Sequence, residues 1–492
     1  IQWKASGPTD LLLPLVGGLP WGVTGRAIAE GVLDLETGSG SFSVDISQGD
    51  VVWKAQDAAG RVEFDAAKLE VAHAGGEYAV RRLELVRGEA FALGEGWVRP
   101  GTAGESPELE ISVTAKGLAL PRDVPQVASL GLSGNAEFSG VLSGTLADPE
   151  ISGRLKLSQG TVWGRPVDRG EGVILLRKGL FRFGKTELAR GGATYGLQGE
   201  WNAASSSTTI RLSSTSGDAG EMLRAAGIDL DVSGEVDGEF LIEIGANGPR
   251  VEGQGKARRA AALGHPFDSV SGRFSWSPEH TRLDDLRLRL GEGEAAASGE
   301  IAGGELGLAV SAERWPVPEL PGATHDVSGW LSFSGTVSGS LADPVAQGAL
   351  RAGALQVGNW SIDQPAGNVS VSRDAIRLAE LRARGAGDGA YVLSGEILSW
   401  SEEPVLDLDI AVQGASLSGL LHEAGLRLPA LLFDGEVSGR IALSGPAESP
   451  LADFDLSLGD DLGVGDPMRL KFQVEGGRIK LGRLADLFRR AG

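Results

Sequence analysis

The sequence SGTLADPEISGRLKL at Ser143–Leu157 has a near copy, SGSLADPVAQGALRA, at Ser338–Ala352. The two copies start 195 residues apart and share a serine–glycine pair, a following proline and a glycine four residues beyond that proline. Proline cannot donate to a strand ladder, and glycine adopts backbone conformations that other residues avoid, so each copy predicts a turn between two strands. Repetition of the phrase predicts a chain built from repeats.

The repeat covers most of the chain. Anchor glycines recur at separations of 100, 95 and 106 residues, at Gly134, Gly234, Gly329 and Gly435. A proline follows each anchor by fifteen residues, at Pro149, Pro249, Pro344 and Pro450. The spacing predicts a lead-in segment with a short helix at 1–24, a divergent first repeat at 25–129, and further repeats at 130–229, 230–324, 325–430 and 431–492, the last one shortened and ending in a helix.

Between these glycines and prolines, apolar residues alternate with polar ones. In VLDLDIAVQG (Val405–Gly414) the leucines and the isoleucine occupy every second position, and the aspartates occupy positions between them. A period of two indicates strands with one solvent-facing side and one apolar side. Each repeat is therefore predicted to hold about four to six antiparallel strands joined by short turns. Short helices are predicted between repeats, within 216–230 and 414–428.

Composition excludes several classes of function. The net charge of −21 argues against binding to nucleic acid or to anionic lipid headgroups, since both require basic surfaces. The chain has no cysteine, which removes disulfides, zinc–thiolate sites and cysteine nucleophiles. The longest apolar run, Leu11–Val23, is short and carries two prolines, so it matches neither a membrane span nor a signal peptide. We expect any anchor or targeting segment to lie outside this stretch of chain.

The sequence offers little support for catalysis. Its five histidines include no pair at metal-ligand spacing, and the chain has no HExxH, GxSxG or phosphate-loop motif. We therefore predict a protein that is not an enzyme and has neither a cofactor nor a metal site.

The phrase SGTLADPEISGRLKLSQGTVWGRPV (Ser143–Val167) and block endings such as LSGEI (Leu393–Ile397) resemble the AsmA-like superfamily of Gram-negative envelope proteins, most closely the TamB type. The resemblance covers residues 130–492 well and 1–129 less well. It implies an all-β fold: an elongated antiparallel sheet of ~100-residue repeats, curled into an open half-pipe with an apolar concave face and short helices between repeats. It also implies a periplasmic protein anchored in the inner membrane through another segment, with an outer-membrane barrel as partner.

The function implied by the resemblance is movement of phospholipid between the inner and outer membranes, with acyl chains held in an apolar β-groove. The predicted sheet is compatible with this function, because an apolar sheet face must be buried by a second layer of protein or by a bound apolar ligand. Parity gives the candidate groove residues: Leu155, Leu157, Val173, Leu175, Phe181, Phe183, Phe240, Ile242, Ile244, Leu286, Leu288, Leu290, Leu331, Phe333, Leu406, Leu408, Ile410 and Val412.

Two other functions remain open from the residues alone. One is a structural or adhesive rod of tandem β-sandwich domains, because alternating leucines are common in closed cores. The other is a scaffold for outer-membrane protein assembly, which would offer its sheet edge to extended strands by β-augmentation. Three mid-repeat tryptophans fit either core packing or groove lining: Trp163, Trp276 and Trp360.

Overall fold

The computed structural model of the chain describes all residues except 10–20, 56–57, 102–105, 125–130, 146, 203, 226–230, 263, 320–326, 354, 358–359, 386–388, 401–402, 424–434, 460–467, 476–477 and 481–492. About 80% of the residues lie in strands and 4% in helices, so the protein is all-β. The pairing is antiparallel and the sheet is not closed into a barrel. The predicted fold class, an open antiparallel sheet, is thereby confirmed.

The chain divides into two compact units. The first unit contains Ile1–Asp218 and Val236–Val251. Its strands pair antiparallel with their sequence neighbours from β1 through β13. They are β1 (Gln2–Pro8), β2 (Trp21–Leu33), β3 (Gly40–Ala55), β4 (Ala58–Ala74), β5 (Glu77–Arg87), β6 (Ala90–Arg99), β7 (Glu108–Leu120), β8 (Ser133–Thr145), β9 (Asp148–Val162), β10 (Arg165–Arg177), β11 (Leu180–Arg190), β12 (Ala193–Asn202) and β13 (Ser207–Asp218).

The second unit contains Ala219–Glu235 and Glu252–Gly492. Strands β14 (Val232–Gly245) and β15 (Gly248–Ala262) contribute residues to both units. The remaining strands are β16 (His265–Trp276), β17 (His280–Leu290), β18 (Gly293–Ala302), β19 (Glu305–Pro316), β20 (Val327–Ser328), β21 (Trp330–Ser340), β22 (Asp343–Ala352), β23 (Leu355–Val357), β24 (Trp360–Val371), β25 (Ala375–Arg384), β26 (Ala390–Leu398), β27 (Val405–Ser416), β28 (Glu436–Pro446), β29 (Leu451–Leu458), β30 (Met468–Glu475) and β31 (Arg478–Lys480).

The long strands of the second unit form one antiparallel ladder from β16 to β31, in which β19 pairs with β21 and β22 with β24. The short strands β20 and β23 pair with each other, and β23 also pairs with β24. The described helices are α1 (Ala219–Ala225), α2 (Leu417–Glu423) and a 3₁₀ turn at Val317–Glu319.

The repeated phrase forms the same hairpin in both places. Thr145 pairs with Asp148 at the β8–β9 turn, and Ser340 pairs with Asp343 at the β21–β22 turn. In each hairpin the hydroxyl of the first residue accepts a hydrogen bond of 3.1 Å from the backbone N–H of the aspartate. The proline after the aspartate lies opposite the glycine of the serine–glycine pair, and that glycine has φ near +90°. The left-handed φ explains why glycine stands there in both copies.

The first two anchor glycines lie at sharp bends near the start of their strand blocks. Gly134 and Gly234 have φ of +114° and +133°. A Cβ on Gly134 would lie 2.6 Å from the Cα of Gly160, and one on Gly234 would lie 3.0 Å from the Cα of Ala260. The residues that precede these two neighbours also have positive φ, as expected where a bulge bends a strand. Close backbone contact at these bends excludes any larger residue.

Four insertions occur along the described ladder, and six long strands lie between each insertion and the next. They follow β7, β13, β19 and β27, and the last three carry α1, the 3₁₀ turn and α2. This spacing agrees with the period near 100 residues, although the predicted repeat boundaries themselves stay a prediction. The helices predicted within 216–230 and 414–428 are present as α1 and α2. The helices predicted for the lead-in segment and for the C-terminal end fall largely or wholly on 10–20 and 481–492, outside the described residues.

A buried carboxylate fixes the start of the insertion after β7. The side chain of Asp123 is 5% exposed and accepts hydrogen bonds from the Ala119 N–H at 2.7 Å and from Arg122 Nε at 2.9 Å. Arg87 of β5 approaches its other side, with Nη1 3.2 Å from Oδ1. Burial raises the pKa of Asp123, but the hydrogen bonds from Arg122 and Ala119 and the nearby cations outweigh it, so the pKa is lowered. The insertion is thus bound to the sheet through an ionised side chain.

Candidate functional site

One face of the first unit is apolar across successive strands. Residues paired in an antiparallel ladder project to the same face of the sheet. Following the pairs from β2 to β9 gives an unbroken apolar row: Ala27, Ile46, Ala67, Leu85, Ala92, Ala115, Phe138 and Leu155. We call the face that carries this row the apolar face of the first unit. It extends over β10 to β13 through Gly172, Ile174, Phe183, Leu197 and Leu212.

Most of the predicted groove residues of this unit lie on the apolar face. Leu155 and Leu157 belong to β9, and Phe181 and Phe183 belong to β11. Ile242 packs against the buried cluster formed by Phe183 and its neighbours, so alternation within β14 places Phe240 and Ile244 on the same face.

Val173 and Leu175 lie on the opposite face. Val173 pairs with Arg154, and Leu175 pairs with Ser152 and Arg182. The run Val173–Leu176 is apolar at every position, so its sequence has no alternation from which parity can be assigned. The register assigns Ile174 and Leu176 to the apolar face instead.

The second unit has an equivalent apolar face. Its row runs through Leu288, Ala295, Ala312, Phe333 and Leu350 on β17 to β22. The other predicted residues of this unit lie on the same face: Leu286, Leu290, Leu331, Leu406, Leu408, Ile410 and Val412. We call this the apolar face of the second unit.

Coverage divides the apolar face of the second unit into two stretches. From β16 to β22 most of its long apolar side chains, among them Leu286, Leu288 and Phe333, are only half-buried, whereas Trp315 of β19 is buried. On β27 the face is covered by α2, whose Leu417, Leu420 and Leu421 belong to a buried cluster that extends over β26 to β30 and also contains Tyr391, Ile410, Val412, Ala415, Val437, Ile441, Ala452, Phe454, Leu456, Leu458, Leu470 and Val474. Ile410 and Val412 therefore lie in a closed core, whereas Leu286, Leu288 and Phe333 keep part of their surface exposed in the described part of the chain.

Helix α2 begins within the predicted range 414–428, directly after Ser416. The Ser416 hydroxyl accepts a hydrogen bond of 3.2 Å from the Gly419 N–H, which makes Ser416 the N-cap. The cap and the three buried leucines hold this seven-residue helix over the sheet, since so short a helix has little stability of its own.

The opposite face of each unit is charged and carries ion pairs between neighbouring strands. Arg182 pairs with Glu200 at 2.9 Å in the first unit, and Arg282 pairs with Glu300 at 3.2 Å in the second. These side chains are all about half-exposed, so each pair adds little to stability. Together they keep the sheet surface that faces away from the apolar side in water.

The carboxylate with the largest pKa shift lies on this charged face. Arg469 donates hydrogen bonds from Nε and Nη2 to the two oxygens of Asp455, both at 2.7 Å, and Lys471 Nζ lies 3.0 Å away. The hydrogen bonds from Arg469, followed by those of Lys471, lower the pKa of Asp455 from 3.8 to about 2.

This shift predicts acid sensitivity of the β29–β30 pair. The ionised Asp455 stabilises the folded state above the unfolded pKa of 3.8, and the stabilisation is lost as the pH falls through the folded pKa of about 2. Asp455→Asn should lower the free energy of unfolding at about pH 6 and have almost no effect near pH 2. Urea unfolding at both pH values measures this; Asp453→Asn is the control, because Asp453 is exposed and makes no ion pair among the described residues.

Other kinds of site are not found in the described part of the chain. No group of three or more histidine, aspartate or glutamate side chains there could hold a metal ion. None of the described helices is long and apolar enough to cross a membrane. Comparisons of the chain with protein-family models, with curated proteins and with solved structures find no match.

Proposed function

We propose that the apolar faces bind the acyl chains of phospholipids and that the protein carries lipid between the two membranes of a Gram-negative envelope without catalysing a reaction. The observation that supports this most is the apolar face of β16–β22, which is built from one strand after another and on which Leu286, Leu288 and Phe333 are only half-buried. An apolar surface of this extent on a protein of net charge −21 calls for a ligand of matching chemistry.

The energetics of such binding are favourable. Burial of one CH₂ group contributes about 0.8 kcal/mol, so a chain of about sixteen carbons gains up to about 13 kcal/mol on a fully apolar surface. The same pattern of leucine, alanine and glycine continues from strand to strand. An acyl chain that slides along the apolar face therefore loses contacts with one strand and gains similar contacts with the next. The charged headgroup stays in water, because burying it without a partner would cost more than the contact gains.

The open ladder favours this function over closed sandwich domains. In each unit the described long strands pair in sequence order along one ladder, whereas a sandwich needs two stacked sheets. Residence in the periplasm, an inner-membrane anchor and an outer-membrane barrel partner are parts of the proposal that come from the sequence resemblance.

Mass spectrometry of an organic extract tests the proposal. We expect phospholipid to co-purify with the full chain after expression in a Gram-negative host and removal of loose lipid on a size-exclusion column. An extract with no more lipid than that of an acidic control protein treated in the same way would contradict it.

A further inference from the structure

A hollow with a volume of about 860 Å³ lies over β1 to β5 of the first unit. On β5 its lining includes Glu84 and Val86 and passes over Leu85, which belongs to the apolar row. On β3 and β4 the partners of Glu84 in the ladder, Lys68 and Asp45, line it as well. Successive residues of a strand point to opposite faces of the sheet. The hollow therefore opens on the charged face, opposite to the face proposed to bind lipid, and we call it the outer hollow.

Exposed apolar side chains lie in and beside the outer hollow. Ile28 lines it and is 50% exposed. On β6, Phe91 lies opposite Val86 and Leu93 lies opposite Glu84, and the two β6 side chains are 37% and 41% exposed. The proposed lipid binding gives these side chains no role, because they lie on the other face of the sheet. Apolar side chains grouped in this way on a charged surface are typical of a site where another molecule binds.

The charges of the outer hollow alternate in sign. Asp45, Lys68 and Glu84 follow one another across three neighbouring strands. Arg26 adds a second cation, and neither Arg26 nor Asp45 makes a hydrogen bond or an ion pair with another described residue. A nucleic acid or an anionic membrane would meet as many carboxylates as cations here, and an acyl chain would desolvate all four charges. A polypeptide offers side chains of both charges together with apolar ones, so it is the ligand class that matches this lining.

The dimensions of the outer hollow fit a short segment of chain. Four inter-strand spacings separate β1 from β5, which gives a length of about 19 Å at about 4.8 Å each. An extended polypeptide covers this distance with about six residues. A second copy of the same face would leave the space between two hollows unfilled, whereas a narrow segment can lie within one.

We propose that the outer hollow binds an extended segment of a partner protein, about six residues long. An apolar side chain of the segment lies over Ile28, an acidic side chain pairs with Arg26, and a basic side chain pairs with Asp45. The inference goes beyond the proposed function, because it gives the charged face a protein partner while lipid occupies the other face.

Selection from a phage library of random twelve-residue peptides tests the site. The full chain is the target, and counter-selection against an unrelated acidic protein removes peptides that bind any negative surface. The Kd of an enriched peptide is then measured by fluorescence anisotropy. We expect Ile28→Asp to weaken its binding at least about tenfold, because a carboxylate replaces the apolar contact at the centre of the site. Circular dichroism should show unchanged strand content, since the side chain of Ile28 is half-exposed.

Val32→Asp is the matched control for Ile28→Asp. Val32 lies on the same strand and the same face, is 48% exposed and is not part of the lining of the outer hollow. It should change the Kd less than about twofold, as expected of a residue outside the contact. Equal weakening by the two substitutions, or a library that yields no peptide sensitive to Ile28→Asp, would overturn the site.

Arg26→Glu tests the assigned charge. We expect it to weaken binding of the enriched peptide about threefold, the usual effect of one exposed ion pair. A peptide whose acidic residue is replaced by lysine should then bind Arg26→Glu better than the wild type. Binding of phosphatidylglycerol vesicles that is lost in Ile28→Asp but not in Val32→Asp would assign the outer hollow to lipid and overturn the proposal.

Discussion

Leu288→Asp is expected to weaken lipid binding by the second unit at least about tenfold while leaving the sheet folded. Leu288 lies half-buried in the middle of the open apolar stretch, between Val270 and Ala295 in the ladder. A carboxylate there would be desolvated by an acyl chain lying across it, at a cost of several kcal/mol that exceeds the gain from the neighbouring CH₂ contacts. We expect affinity for a photo-crosslinkable phospholipid to fall at least about tenfold, which a 1.4 kcal/mol loss suffices to produce.

The matched control is Ser298→Asp, which adds the same charge to the other face. Ser298 is exposed and pairs with Ala309 across the β18–β19 ladder, so its side chain does not meet a ligand on the apolar face. Circular dichroism should show strand content unchanged in both variants. Equal crosslinking of Leu288→Asp and Ser298→Asp would show that lipid does not lie on this face.

The largest expected effect on stability comes from α2. Leu420 is 0% exposed and lies between the helix and the strands β27 to β29. Leu420→Ala removes three carbons from a filled core and leaves a cavity beneath a helix that depends on its packing. We expect the free energy of unfolding of the second unit to fall by about 2–5 kcal/mol, as for other buried leucines.

Chemical unfolding, followed by far-UV circular dichroism, measures this loss. Leu341→Ala makes the same change at a residue that is 61% exposed in the β21–β22 turn, and it should cost about 0.5 kcal/mol or less. Similar effects of the two substitutions would mean that α2 does not hold the covered stretch closed. The lipid affinity of the β16–β22 stretch should be unchanged in Leu420→Ala, because Leu420 lies on α2 and not on that stretch.

Local pattern was enough to predict the strands and the facing of most candidate residues. Leu286, Leu288 and Leu290 alternate with arginines, and the ladder places all three on the apolar face. Parity failed at Val173 and Leu175 because their strand is apolar at every position there.

The sequence by itself determined the antiparallel hairpins, the glycine bends and the alternation that gives each strand one apolar side. These depend on backbone sterics and on side-chain parity, which act over a few neighbouring residues. The burial differences came from tertiary packing: α2 closes the apolar face around Ile410, whereas Leu288 keeps part of its surface exposed among the described residues. The burial of a side chain depends on what packs above its strand. A β-bulge changes which residues of a strand face the apolar side. Neither burial nor facing can therefore be derived from the sequence of one strand alone.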